Sequence, residues 1–246
     1  MDVKTAGRTV EIFETFAETQ EPLSLSEISR ALDAPLSSCL YLVRALESRG
    51  YLYGVGARRQ IYPTRKLHDV AKAIAAGESW LAQVEPALSK LRDASRETVL
   101  LGKRQGDRVV YVAVFEGTQT IRYSSQVGDI KPLHASSIGK ALLTALDRPE
   151  LEKLVKRLSL EAATPATLID KEVLLEDIDV SRKRGYSLTR GEFVADVMAV
   201  GRPVRLAGDQ YGIAVAGPLH RMEAAVTDHA KLLEETCAEI EENSKL

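Results

Sequence analysis

The stretch from Ser24 to Pro63 constrains this chain more than any other, because it must fit two short helices, a tight turn and a hairpin into few residues. Ser24-Leu25-Ser26-Glu27 has the spacing in which a serine hydroxyl and a glutamate carboxylate satisfy each other's orphaned backbone donors, so a helix starts there. Its buried face reads as Leu25, Ile28 and Leu32. Asp33-Ala34-Pro35 then turns the chain, since proline disfavours helix at the residue before it and is tolerated where the next helix begins. That next helix, Leu36–Arg49, stops at Gly50, the residue best able to take the left-handed conformation past a helix end.

The two sides of this helix differ. Cys39, Leu42, Val43 and Leu46 fall at i, i+3, i+4 and i+7, one stripe for packing. Ser37, Tyr41, Arg44 and Ser48, with Ser38 beside them, line the other side with hydroxyls, a phenol and a guanidinium. A polar helix face alone is most often just solvated. Its neighbour changes the reading: Tyr51-Leu52-Tyr53 and Gln60-Ile61-Tyr62-Pro63 are strand patterns around Gly54-Val55-Gly56-Ala57-Arg58-Arg59, a glycine-rich basic tip. A helix at Arg8–Gln20, with Val10, Phe13 and Ala17 flanked by Ile12 and Phe16, completes a winged helix-turn-helix. One helix then enters a major groove and the wing meets phosphates, with Ser37, Ser38, Tyr41, Arg44, Arg58 and Arg59 as the contacts to double-stranded DNA. The net charge of −2 hides a local asymmetry that agrees: from Arg44 to Lys72 seven arginines and lysines face only Glu47 and Asp69.

Beyond the wing, Leu67–Ala76 is a helical pattern with Leu67, Val70, Ala71 and Ile74 as its apolar stripe, ending at Gly77. With 246 residues the chain is long enough for two cores, and its division is read as 1–66 DNA-binding, 67–78 linker helix and 79–246 effector-binding and oligomerisation domain. A helix at Trp80–Ser95 opens the larger part, followed by strand patterns at Thr98–Lys103, Arg108–Phe115 and Thr120–Ser125. His134-Ala135-Ser136-Ser137-Ile138-Gly139 is a loop feeding a helix whose first backbone N–H groups suit an anion. Helices at Pro149–Leu158 and Lys171–Arg184, strands at Tyr186–Arg190, Ala199–Leu206 and Tyr211–Ala216, and an acidic helix from Met222 to Asn243 follow. Without regular βαβ alternation this is an α+β domain.

Several classes are set aside on the same grounds. Cys39 and Cys237 lie far apart in helical patterns, and His68, His134, His220 and His229 have no metal-ligand spacing, so neither disulfide, metal nor cofactor is expected. No apolar run approaches a membrane span and the N-terminus has no secretory pattern, which points to the cytoplasm. An enzyme built on His134 and Ser136 is the rival class, but neither serine sits in a nucleophile elbow and Ser137-Ile138-Gly139-Lys140 is no P-loop. A winged-helix protein-interaction module without an effector is the other rival, separable by binding to arbitrary duplex.

The chain resembles the IclR family of transcriptional regulators over nearly its whole length. The residues concerned are Leu25-Ser26-Glu27-Ile28-Ser29-Arg30, Leu46-Glu47-Ser48-Arg49-Gly50-Tyr51, Tyr62-Pro63-Thr64-Arg65-Lys66-Leu67, Pro132-Leu133-His134-Ala135-Ser136, Gly139-Lys140-Ala141, Arg182 to Ser187, Glu192 and Gly217-Pro218. The resemblance implies a GAF-like sensing domain, homodimers or homotetramers on palindromic operators of catabolic genes, and a small organic-acid effector. By position it implies effector contacts at Thr120, Tyr123, Ser137, Ile138, Thr189, Ala199, Ala214 and Ala216. Ala214 and Ala216 stand where some relatives carry hydroxyls, which implies a less polar pocket and a larger carboxylate, aromatic ones included.

Overall fold

The computed structural model describes residues 4–56, 59–77 and 79–243, and they form two compact units, Met1–Ser79 and Trp80–Leu246. In the first, α1 (Lys4–Thr19), α2 (Leu25–Ala31) and α3 (Leu36–Ser48) are followed by the hairpin β1 (Leu52–Val55) and β2 (Gln60–Pro63) and by α4 (Lys66–Ala76). Ser24 caps α2 in the reciprocal arrangement its spacing predicts, with Glu27 returning to the Ser24 backbone N–H at 2.7 Å. Asp33 turns the chain into α3 with a left-handed φ of 44°, a conformation its short polar side chain tolerates. At the far end Gly50 takes φ 73°, and the N–H groups of Gly50 and Tyr51 bond the carbonyls of Glu47 and Leu46, closing α3 with a Schellman motif.

Ile12, Phe16, Ile28, Cys39, Val43, Leu46, Leu52 and Ile61 make the first core. Phe16 meets Tyr62 edge-on at 5.9 Å, and Leu23 bridges Ile61 to fasten the wing to the helices. In α1 the packing stripe is Ile12 and Phe16, while Val10 is exposed; the alternative face through Val10 and Phe13 has the same helical period but faces outward at its first residue. None of α4's residues is buried, so its apolar stripe lies open.

The second unit runs α5 (Ser79–Ser95), β3 (Thr98–Gln105), β4 (Arg108–Phe115), β5 (Ile130–Pro132), α6 (Ser137–Thr144), α7 (Arg148–Arg157), α8 (Lys171–Arg184), β6 (Ser187–Arg190), β7 (Val197–Leu206), β8 (Asp209–Pro218), α9 (Leu219–Ala224) and α10 (Val226–Asn243). Its antiparallel sheet has the order β5-β4-β3-β8-β7-β6. Alternation sends Val99, Leu101, Val200, Ile213 and Val215 to one face, against α5, α9 and α10. Leu100, Ala199, Ala214 and Ala216 go to the other, against α6, α7 and α8.

That second face is paved with small residues because α6 lies almost on the sheet. A Cβ at Gly201 would sit 2.6 Å from the Ser137 carbonyl oxygen, closer than real atoms approach. Two expectations fail here. Thr120–Ser125 is not a strand: Thr98 Oγ1 donates to the Tyr123 carbonyl while Arg122 and Ser124 bond the Glu116 carboxylate, so side chains hold what a neighbouring strand would have held. The closing helix is two helices, broken where Ala225 leaves helical geometry at φ −124°.

Candidate nucleic-acid interface and effector pocket

The exposed side of α3 is the one its pattern predicts. Ser37, Tyr41, Arg44 and Ser48 are exposed, Tyr41 to 72%, and Ser38 is half-buried. A bare phenol at that exposure gains nothing from the core, which makes it available to a partner surface. Arg59 is exposed at the wing tip with a left-handed φ of 49°. Arg58 lies outside the described residues. The wing is anchored at its base, where the Thr64 hydroxyl donates to the Gly50 carbonyl and Lys66 Nζ to that of Arg49, 4.8 Å from the Tyr51 ring centre.

In the larger unit a cavity opens where α6 begins. It is narrow, with about 30 Å³ of room as it stands, between β3, β7 and β8 on one side and the segments around residues 123, 131 and 193 on the other. Leu100, Val197, Ala199 and Ala216 give it an apolar floor, and Tyr111, Tyr123 and Thr189 bring hydroxyls. Burial beside Tyr123 and Asp129 holds the Tyr111 phenol well above its ordinary pKa, so it stays a neutral hydrogen-bonding group. Lys131 supplies the cation: its Nζ lies 3.1 Å from Asp129, 5.7 Å from the Tyr111 ring centre and 5.3 Å from that of Phe193. Ser136 caps α6 by accepting from the Gly139 N–H and donating to the Pro132 carbonyl, which leaves the helix's positive end at the cavity wall.

Behind the wall stands a buried charge cluster. Lys140 is fully buried, with Nζ 2.9 Å from Asp177 on α8 and 2.7 Å from Glu192, whose residue lines the cavity. Burial raises the Glu192 carboxyl, against the pull of Lys140 and with the push of Asp177. Thr167 Oγ1 donates to the Glu192 carbonyl at 2.6 Å, so the loop is held by both its backbone and its side chain.

Of the effector contacts implied by resemblance, Tyr123, Ser137, Thr189, Ala199 and Ala216 line this cavity. Three do not. Thr120 is exposed on the irregular segment, whereas Ile138 and Ala214 are fully buried in the packing between α6 and the sheet, where alternation puts Ala214 on the right face but under the helix. Tyr111, Lys131, Glu192, Phe193 and Val194 were missed. Lys131 had a signal, a single cation between Ile130 and Pro132 just before the His-Ala-Ser loop, but the strand that aims it is only three residues long. The enzyme alternative loses its pair: His134 Nε2 faces the Glu161 carbonyl at 3.1 Å, while Ser136 is committed to capping.

Sequence models of two domains match the chain: the IclR helix-turn-helix domain over residues 5–56 and the bacterial transcriptional regulator IclR C-terminal domain over residues 78–241. The HTH-type transcriptional repressor AllR of Escherichia coli (strain K12) is 28% identical over 239 residues, covering 95% of this chain and 87% of the repressor. Among solved structures, IclR of Thermotoga maritima superposes with a TM-score of 0.81 at 23% identity over the whole of both chains. An IclR homologue from Microbacterium hydrocarbonoxydans, complexed with 4-hydroxybenzoate, gives 0.76 at 21% identity over 98% and 99% of the two chains. Among the described residues no helix is long and apolar enough to cross a membrane.

Proposed function

The chain belongs to the IclR family of transcriptional regulators, and from that premise we propose that it holds a palindromic operator as a homo-oligomer and changes its grip when a small carboxylate occupies the pocket of the larger unit. The observation that carries the effector class is the meeting of Lys131 and the N-terminus of α6 at one cavity whose lining is otherwise aromatic, apolar or hydroxylic apart from Glu192, which is paired with the buried Lys140. A carboxylate head finds a cation and helix donors there, and an apolar body finds Leu100, Ala199 and Ala216. The 4-hydroxybenzoate bound by the Microbacterium homologue is of this chemical kind. The site acts by binding, not turnover, since His134 and Ser136 are each engaged with backbone groups.

On the DNA side, Ser37, Ser38, Tyr41 and Arg44 read the major groove and Arg58 and Arg59 meet phosphates. Residues 1–66 then form the DNA-binding domain, 67–78 the linker and 79–246 the effector domain, working in the cytoplasm. The occupant of α4's open stripe, Leu67, Val70, Ala71 and Ile74, is a second copy of this chain, because two half-sites one helical turn apart need two recognition helices.

The test pairs two measurements. Fluorescence anisotropy on a short arbitrary duplex checks for salt-dependent DNA binding. A thermal-shift panel of aromatic and aliphatic monocarboxylates checks the pocket, since a ligand of the folded state raises the unfolding temperature. DNA binding indifferent to salt would sink the first half of the reading, and a flat response to every carboxylate the second. Sedimentation of a lone monomer on an operator would remove the oligomer.

A further inference from the structure

Next to the pocket lies a second, wider hollow of about 350 Å³, lined by Arg108, Pro132, His134, Ser159, Glu161 and Phe193 among others. The wall between the two is β5 and its continuation. Along β5 alternation turns Lys131 to the pocket and Ile130 and Pro132 to the hollow; beyond the strand His134 lines the hollow and Ala135 and Ser136 the pocket. Among the described residues Phe193 is the one that lines both.

The parts of this wall are not equally fixed. β5 is held by its ladder to β4, and Glu192 by Lys140 and Thr167. Phe193 follows Glu192 and is itself half-buried, and among the described residues its ring is fastened by packing alone, with Lys131 Nζ over its face. An aromatic ring can turn about two torsions, whereas a paired strand cannot move without losing its ladder. Opening the wall at Phe193 is therefore the easiest way to join the two spaces.

We propose that Phe193 sets the length of effector this regulator accepts: its ring stands between the pocket and the second hollow, and a longer ligand must pass it to reach that hollow. The proposal rests on the reading of the first cavity as the effector pocket. The hollow's lining also fixes what can enter. Arg108 and Ser159 offer donors and Glu161 an acceptor, so the far end of a long ligand carries hydrogen-bonding groups while its near end carries the carboxylate.

Isothermal titration tests this with 4-hydroxybenzoate as the short probe and 4′-hydroxybiphenyl-4-carboxylate as the long one. The proteins are the wild type, Phe193→Ala, and Phe193→Ala combined with Ala163→Trp, each checked for folding by circular dichroism. Ala163 is exposed and lines only the hollow, so a tryptophan there fills the second space without entering the first. Phe193→Ala should bind the long probe about tenfold or more tighter than wild type, a gain of the size a reshaped apolar pocket gives. The added tryptophan should cancel that gain. Equal binding of the long probe to wild type and Phe193→Ala overturns the proposal, as does no binding to the folded variant or a gain that survives the tryptophan. The short probe reports on the pocket itself: binding to wild type upholds the pocket even if the length rule fails, and its absence counts against the ligand class while the long-probe comparison still decides the role of Phe193.

Discussion

On α3 the side chains proposed to meet DNA point away from the stripe that packs the helix, so recognition and folding use different residues. The larger unit shows the opposite arrangement. Its pocket is walled by the same strands, helix start and buried charges that make its core: Ala216 belongs both to the cavity floor and to the cluster packed beneath α6 to α8. A site on an exposed face can change its chemistry while the fold stands, whereas a site inside the core can change only within what packing allows. Operator preference should therefore be easy to alter in this protein and effector preference hard.

The largest effect expected from that contrast is at Lys140. Replacing it with alanine strands Asp177 and Glu192 without their shared cation in a buried place, which should lower stability by about 3–5 kcal/mol. Urea unfolding of the two proteins measures it. A loss below about 1 kcal/mol, the range of solvated pairs, would mean that this cluster is effectively a surface one.

A pair of identical substitutions sharpens the comparison. Gly201→Ala places a methyl 2.6 Å from the Ser137 carbonyl and 2.7 Å from Ser187 Oγ, so α6 must lift off the sheet. A loss of about 1–3 kcal/mol is expected, the ordinary range for overpacking. Gly54→Ala in the wing meets no atom within 4 Å and its φ is unexceptional. It should stay within about 0.5 kcal/mol of wild type. Chemical denaturation of both decides the matter, and equal losses would break the contrast.

How much of each unit can be read from sequence follows from the same difference. The capping box at Ser24, the Gly50 stop and the two faces of α3 depend on residues close in the chain, and they are present where the spacing puts them. The pocket depends on register between distant strands and on a helix lying over glycines. Alternation gives Ala214 and Ala216 the same face, yet only the placement of α6 leaves Ala216 open to the cavity and covers Ala214. The segment around Tyr123 had the β-branched and aromatic composition of a strand, but Glu116 and Thr98 hold it by side-chain bonds that no local pattern reveals.

Ala216→Phe follows in size, and because Ala216 is almost fully buried in the cluster beneath α6 to α8 the variant is first checked for folding by circular dichroism. The ring would occupy the cavity floor, so effector binding should weaken about tenfold or more, since filling a pocket removes the ligand's apolar contacts. Operator affinity without effector should be unchanged, because a ligand acts only through unequal affinity for two states. Anisotropy on operator DNA, with and without a carboxylate that shifts the wild type, tests this. A full response in the folded variant would place the pocket elsewhere.

The smallest expected effect on stability, and the one on which the exposed half of the comparison depends, is at the wing and α3. Arg59 is exposed and no described residue bonds its side chain, so Arg59→Ala removes a charge with its left-handed backbone position left to a residue that also disfavours it. Stability should move by no more than about 0.5 kcal/mol. Binding to every duplex should weaken alike, and the slope of log affinity against log salt should shrink by about 1 for the lost phosphate contact. Tyr41→Ala should leave that slope alone and relax preference at one base position, costing about 1–3 kcal/mol against the best operator and less against others. Both are read by anisotropy across a salt series on a selected operator and a scrambled duplex. An unchanged slope in Arg59→Ala would remove the wing tip from the interface. A Tyr41→Ala protein that discriminates as wild type does would leave the most exposed aromatic of α3 without a reading role, and sequence preference would then rest with Ser37, Ser38 and Arg44.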